Sequence, residues 1–482
     1  MQFNSYIFIL AYLPILLIGY FLLNKISITI GKVFMIAAGI VFYLYGGREI
    51  TLILGGSILV NYLGAFIIGR IQKGKKAVLV AGIAANIALL FYFKYFNFFL
   101  QSIAEATGQE FTLREIILPL GISFFTFQQI MYVINVYQNN IKQANLIDYL
   151  VYILYFPKLI MGPLAEPAEL IEQFNDKKRK KVNWDNISYG IKIFSFGLFK
   201  KMLLADTFAA AVAWGYSNIE TSTSMDWFLI MLFYTFEIYF DFSGYSDMAV
   251  GISKMMNIDL PMNFDSPYKA LSIRDFWKRW HMTLTGFLTR YIYIPLGGSK
   301  KGEIRTYINT MIVFLVSGIW HGANWTFLLW GGVHGLLSVG DRLTEKLRKN
   351  LSEVVKWGST FFAVNILWLL FRSESIEQWK NLLVRMFTFQ DMSVSDDLLK
   401  SFVLPETPFL LKSLHFEGVN TAVNGFGMIV FVICAYGICL IPENNYKKLE
   451  KNNWLTMILA AVAFVWSFLC LSSESVFVYF GF

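Results

Sequence analysis

Apolar residues in this chain arrive in blocks of about twenty, the length at which a helix crosses the hydrocarbon of a bilayer. The blocks run at about 5–23, 33–46, 50–69, 77–99, 116–137, 187–218, 226–243, 307–340, 354–372, 424–441 and 454–472. Of the 482 residues 56% are hydrophobic and only 15% are charged, against roughly 25% charged in a soluble domain. A water-soluble globule is excluded. The pattern predicts an all-α, polytopic transmembrane helical protein of about 11–12 spans, with re-entrant and interfacial helices. We read it as a single integral-membrane domain over 1–482, with N-terminal spans in 1–114, a catalytic core in 115–340, and C-terminal spans with an outward tail in 341–482.

Two blocks have unusual shapes. The block at 307–340 is long enough for two short, tilted segments folded into a hairpin, with Trp320 and His321 at or near the apex. The block at 146–163 contains Pro157 and Pro163. Backbone freed by proline is tolerated at membrane depth only where protein or a water cavity covers it, so this block is expected to be re-entrant.

Orientation follows from the basic residues in the connections. With the N-terminus outside, the inner connections hold 28 of the 41 Lys and Arg, the outer ones 7. Both termini are then expected outside the cytoplasm. The net charge of +8 reflects these inner connections and implies no nucleic-acid partner. No basic residue precedes the first apolar block, so that block is expected to stay as a span rather than to be removed as a signal peptide. Cys434, Cys439 and Cys470 lie in or beside late apolar stretches and suit packing. The run KKRKK at 177–181 reads either as a topology signal or as a contact for anionic lipid headgroups. The outer stretch 373–420 is either a docking surface or a loop.

Chemistry can be sought among four histidines. His321 occurs in SGIWHGANW, inside an otherwise apolar block. An ionisable residue within the membrane is costly to keep and marks a functional candidate, and a neutral imidazole can act as general base towards a hydroxyl. Gly318 and Gly322 either leave room for a ligand or let helices pack closely. His281 shares an apolar stripe with Trp277 in a stretch of helical spacing that also carries Arg274, Lys278, Arg279 and Arg290. It is either a core histidine bonded to a backbone carbonyl or part of a site whose cations gather an anionic cofactor from the cytosol. His334 faces either the same cavity or a neighbouring helix, and His415 lies in the outer stretch. Glu237 and Asp241 share a helical face with Asp247 just beyond, and Lys94 is a candidate counter-charge. A structural ion pair or a proton path both fit. No HExxH, paired CxxC, GxSxG or Walker A motif is present, so no metal site is expected.

Five strings go further. LPLGISFFTFQ at 118–128, YFPKLIMGPL at 155–164, YFDFSGYSDMAVGISKM at 239–255, RDFWKRWHMTLTGFLTRYIYIPLGG at 274–298 and SGIWHGANWTFLLWGGVHG at 317–335 resemble the membrane-bound O-acyltransferase superfamily. Within it they are similar to the bacterial branch typified by the alginate O-acetyltransferase membrane subunit, over nearly the whole chain. The resemblance implies that the helices surround a central tunnel, and that the protein is a transmembrane acyl relay with acetyl-CoA as acyl-donor substrate and no permanently bound cofactor. The catalytic histidine would be His321, the second polar tunnel residue His281, and the acyl carrier Tyr479 in the C-terminal aromatic tail. Lys278, Arg279 and Arg290 would capture the donor. An extracytoplasmic, esterase-like (SGNH-type) acetyltransferase would be the partner, and an envelope polysaccharide or exopolysaccharide, alginate-like or peptidoglycan, the acceptor. The place of action would be the bacterial cytoplasmic membrane. Gly481 departs from the family's more polar tail. Two other functions are weighed against this one: D-alanyl transfer to teichoic acid, and a transporter of an envelope precursor.

Overall fold

A computed structural model of the chain describes residues 1–141, 145–403, 413, 420–441, 453–471 and 477. The described residues form helices and turns, without strands. Five helices among them are long and apolar enough to cross a membrane: Phe8–Ile26, Arg48–Arg70, Lys75–Thr107, Glu353–Arg372 and Thr421–Leu440. Lipid-facing leucines and isoleucines such as Leu10, Ile15, Ile18 and Leu52 are more than half exposed, which is how a bundle looks when its outer surface is solvated by hydrocarbon.

The centre is built on the 32-residue helix Ser224–Met255, about 48 Å long at 1.5 Å per residue. It starts with a reciprocal capping box between Thr223 and Asp226. Nearly every side chain along it is buried, so it has no apolar stripe and sits inside the bundle. It packs against Trp184–Phe199 through facing glycines. A Cβ on Gly197 would stand 2.7 Å from the Gly244 carbonyl oxygen, and one on Gly251 2.6 Å from that of Gly190. Only glycine allows this approach, the usual means of joining helices where no water drives them together.

Buried charges complete that joint. The Trp184–Phe199 helix continues through a π turn, Lys200–Ala205, into Asp206–Ser217. The turn directs Lys200 to Asp247 at 2.6 Å, and Lys201 to Asp241 at 2.7 Å and Asp206 at 2.9 Å. The ion-pair reading of the acidic cluster therefore fits, with Lys200 and Lys201 as counter-charges. Lys94, the candidate from sequence, lies elsewhere.

The 307–340 block forms the expected hairpin, Glu303–His321 followed by Trp325–Leu343. Its seam answers the glycine question in favour of packing. A Cβ on Gly318 would lie 3.2 Å from the Gly331 Cα, and one on Gly322 would run into the Phe327 ring. The 146–163 block breaks into Leu146–Ile153 and Phe156–Leu159, with Tyr149, Tyr152, Tyr155 and Phe156 all buried. Its irregular backbone is covered by protein, as a re-entrant segment requires.

Helical spacing misleads at 273–293. In place of one continuous amphipathic helix there are two short ones, Ile273–Arg279 and Met282–Leu288, separated by extended Trp280 and left-handed His281 (φ 45°, ψ 49°). The loop at 263–265 takes over the missing helical bonds. Met282 N donates to Asn263 O, and Asp265 N to Arg279 O, each at 2.9 Å. Tertiary pairing outweighs local spacing here.

Candidate active site

His321 ends the Glu303–His321 helix, where Gly322 leaves helical geometry and Asn324 caps the return helix through Thr326 N at 3.0 Å. The imidazole is 3% exposed. It packs between the rings of Trp320 (4.9 Å), Trp330 (5.1 Å) and Phe371 (5.3 Å). It lines a cavity of about 80 Å³ together with Lys94, Ser123, Phe124, Ile160 and Trp320. Pro119 and Leu120, where the chain turns into the next helix, line another side. Gly121 turns the chain into the Ile122–Tyr137 helix at φ 72°, and a Cβ there would stand 3.0 Å from Ile160 Cα and Leu159 O.

His281 lies behind the same wall. Its ring is fully buried, 4.7 Å from Phe242, 6.1 Å from Trp320 and 6.4 Å from Phe124. Neither ring nitrogen reaches a hydrogen-bond partner in another residue. The bond to a carbonyl expected of a merely structural histidine is therefore missing. A buried polar group left open and a left-handed backbone that costs a non-glycine residue about 1–2 kcal/mol together make His281 a candidate functional position. Asn263 holds that backbone in place. Its Oδ1 accepts from Thr283 Oγ1 at 2.6 Å, and its Nδ2 donates to Ser246 at 3.2 Å. Nothing in the sequence pattern singled out Asn263.

A second cavity, about 310 Å³, begins one helical turn along the same helix at Ser317 and extends to a basic mouth at Arg274, Lys278 and Arg342. Trp277 and Phe314 form its inner wall. Trp277 meets Trp330 at 5.6 Å, and Trp330 meets His321 at 5.1 Å. The space expected as one central tunnel is thus held in two cavities with aromatic rings between them. His334 belongs to that partition, accepting from Trp277 Nε1 at 3.2 Å.

The three basic residues expected to capture a donor separate in the structure. Lys278 is exposed at the mouth of the larger cavity. Arg279 instead bonds Asp275 at 2.9 Å and the Asp265 carbonyl at 3.3 Å. Arg290 pairs with Glu166, whose negative charge raises the guanidinium pKa. Arg342 and Arg274, the latter paired with Glu345 at 3.3 Å at the exposed rim, line the cavity beside Lys278. Arg342 sits about sixty residues from Lys278 in sequence, at the end of the return arm of the hairpin, so only the fold brings it there.

Tyr479 lies outside the described residues, as does His415. Phe477, two residues before Tyr479, is 1% exposed. Its ring meets Tyr245 at 5.1 Å, and the Lys201 ammonium lies 4.5 Å from its centroid. The first aromatic of the tail is therefore tucked into the bundle, against the buried ion pairs.

Residues 76–374 match the membrane-bound O-acyltransferase family. The chain is similar to the peptidoglycan O-acetyltransferase of Helicobacter pylori, 36% identical across 100% of this chain and 97% of that one. It is also similar to the probable alginate O-acetylase AlgI of Pseudomonas putida, 36% identical across 82% of each. The teichoic acid D-alanyltransferase of Streptococcus thermophilus is 27% identical across 47% of this chain and 58% of its own length.

Proposed function

This chain belongs to the membrane-bound O-acyltransferase family, and from that premise we propose that it takes an acetyl group from cytosolic acetyl-CoA and relays it across the membrane for O-acetylation of an envelope polysaccharide. It is a multi-pass membrane enzyme, an O-acyltransferase. The observation that carries the reading is the buried His321 on the wall of one cavity, with a second, basic-mouthed cavity one turn along the same helix. The mouth lies on segments 252–306 and 341–356, which the distribution of Lys and Arg assigns to the cytosol. There Lys278, Arg274 and Arg342 receive the phosphates of the donor, which are strong hydrogen-bond acceptors for charged donors.

In the transfer, the acceptor hydroxyl oxygen attacks the thioester carbonyl carbon and His321 takes the hydroxyl proton. The carbon–sulfur bond then breaks, the ester forms, and the thiolate leaves as the thiol with the proton from the imidazolium. His281 packs behind Trp320 and backs the wall of the cavity that holds the acyl group. No ATP is required, because a thioester is a better acyl donor than the ester it makes. The enzyme's contribution is alignment of the reactants and exclusion of water, and the aromatic partition suits both. The first acceptor is the phenol of Tyr479, and the acetyl group then passes to an extracytoplasmic esterase-like enzyme that acts on the polysaccharide. The enzyme works in the cytoplasmic membrane with both termini outside.

The names of the two relatives that match most of the chain favour acetyl over D-alanyl transfer. The test is thioester turnover by the purified protein in liposomes, with labelled acetyl-CoA. Release of CoA with label on the protein or on a supplied acceptor is expected. A transporter of an envelope precursor would leave the thioester intact.

A further inference from the structure

Lys94 lies on the wall of the His321 cavity, and the reaction as outlined leaves it without a task. A single π turn, Phe91–Tyr95, interrupts the Lys75–Thr107 helix at this residue. Such turns re-aim a side chain and recur at functional sites. The Lys94 ammonium donates to the Trp320 carbonyl at 2.7 Å, the His321 carbonyl at 3.1 Å and Ser123 Oγ at 3.3 Å. The two carbonyls are the last of the Glu303–His321 helix, acceptors that a helix end leaves without internal partners, and a cation is favourable at that end.

Lysine offers three N–H donors and no acceptor, so these bonds use all of them. Ser123 is therefore an acceptor towards Lys94, and its own hydroxyl hydrogen remains to be donated elsewhere. Ser123 lines the same cavity as His321.

We propose that Lys94 is a positioning residue for acyl transfer, which fixes the helix end carrying His321 and orients the Ser123 hydroxyl towards the oxygen of the acyl carbonyl in the cavity. When the acceptor oxygen bonds to the acyl carbon, the carbonyl pair moves onto oxygen as negative charge and the acceptor proton goes to His321. The Ser123 hydroxyl donates a hydrogen bond to that oxyanion and keeps its proton. When the carbon–sulfur bond breaks, the carbonyl re-forms and the thiolate takes the proton from His321. Lys94, hydrogen-bonded to Ser123 at 3.3 Å, polarises that hydroxyl and strengthens its donation.

This inference rests on the acyl-transfer reading, and two kinds of measurement separate their failures. The first is steady-state acetyl-CoA turnover by Lys94→Met and Ser123→Ala in liposomes. Ser123→Ala, which removes the oxyanion donor itself, is expected to lower kcat about 100-fold, with donor KM unchanged. Lys94→Met, which releases both the helix end carrying His321 and the orientation of that donor, is expected to lower kcat by about the same factor or more, again with KM unchanged. A wild-type kcat in either variant overturns the proposal, as does an effect confined to KM. The second needs no substrate: the rate at which diethyl pyrocarbonate modifies His321, followed by mass spectrometry, in wild type and Lys94→Met. Release of the helix end is expected to speed modification several-fold, and an unchanged rate overturns the clamp even if acetyl-CoA proves not to be the donor.

Discussion

The indole nitrogen of Trp277 donates a hydrogen bond to Nδ1 of His334 at 3.2 Å. That bond separates a structural histidine from the two buried nearer the small cavity. It ties the Ile273–Arg279 helix to the Trp325–Leu343 arm of the hairpin and closes the inner end of the basic-mouthed cavity. His334→Phe keeps a ring of similar size but strands the indole N–H in the interior, at a cost of roughly 1–3 kcal/mol. Detergent-titration unfolding should report that loss, while turnover per folded molecule stays at the wild-type level. Lost turnover at full stability would put His334 in the reaction instead.

Neutralising the cations at the mouth should weaken donor capture. Lys278→Gln and Arg342→Gln are each expected to raise the donor KM about 10-fold, the worth of one hydrogen bond to a charged group, with kcat little changed. Raising salt should mimic the part due to long-range attraction. Arg279→Gln and Arg290→Gln, whose guanidiniums are engaged by Asp275 and Glu166, should leave KM near wild type. Equal effects from all four would mean that the charge of the whole inner surface matters, and not this cavity.

Asn263 is expected to act on activity through His281. Asn263→Ala removes the acceptor of Thr283 Oγ1 and loosens the loop that holds His281 in its left-handed conformation. A stability loss of about 1–3 kcal/mol is expected for the broken buried network, with a fall in kcat that exceeds any change in donor KM. Stability loss with wild-type kcat would reduce Asn263 to packing.

The tail prediction separates anchoring from chemistry. Phe477→Ala removes the ring seated against Tyr245 and Lys201 and should lower polysaccharide acetylation in cells by loosening the tail. Tyr479→Phe keeps the ring, removes only the hydroxyl, and should abolish acetylation of the polysaccharide while the protein remains folded. Normal acetylation in Tyr479→Phe would mean that His321 serves an external acceptor directly.

Much of this architecture was legible from hydropathy and proline alone. The hairpin with His321 at its apex follows from the length of the 307–340 block, and the covered break at 146–163 from its prolines. The features that were not legible depend on contacts distant in sequence. His281 leaves helical geometry because Asn263, eighteen residues earlier, pairs with the backbone at the break. Arg342 joins Lys278 only because the hairpin folds back. The π turns at Phe91–Tyr95 and Lys200–Ala205 leave no mark in composition, because a π turn uses the same residues as the α-helix around it. Their effect is to turn Lys94 to the end of the His321 helix and Lys200 to Asp247, which reverses the assignment of Lys94 as counter-charge to the acidic cluster.

The central claim is that His321 is the base of an acyl transfer, and the most direct test is turnover of labelled acetyl-CoA by purified His321→Ala protein in liposomes, with folding checked by size exclusion and thermal unfolding. A well-folded variant whose kcat is lower by roughly 100- to 10,000-fold, the range of a general-base contribution, is the expected result. Wild-type turnover in a folded His321→Ala protein would contradict the account.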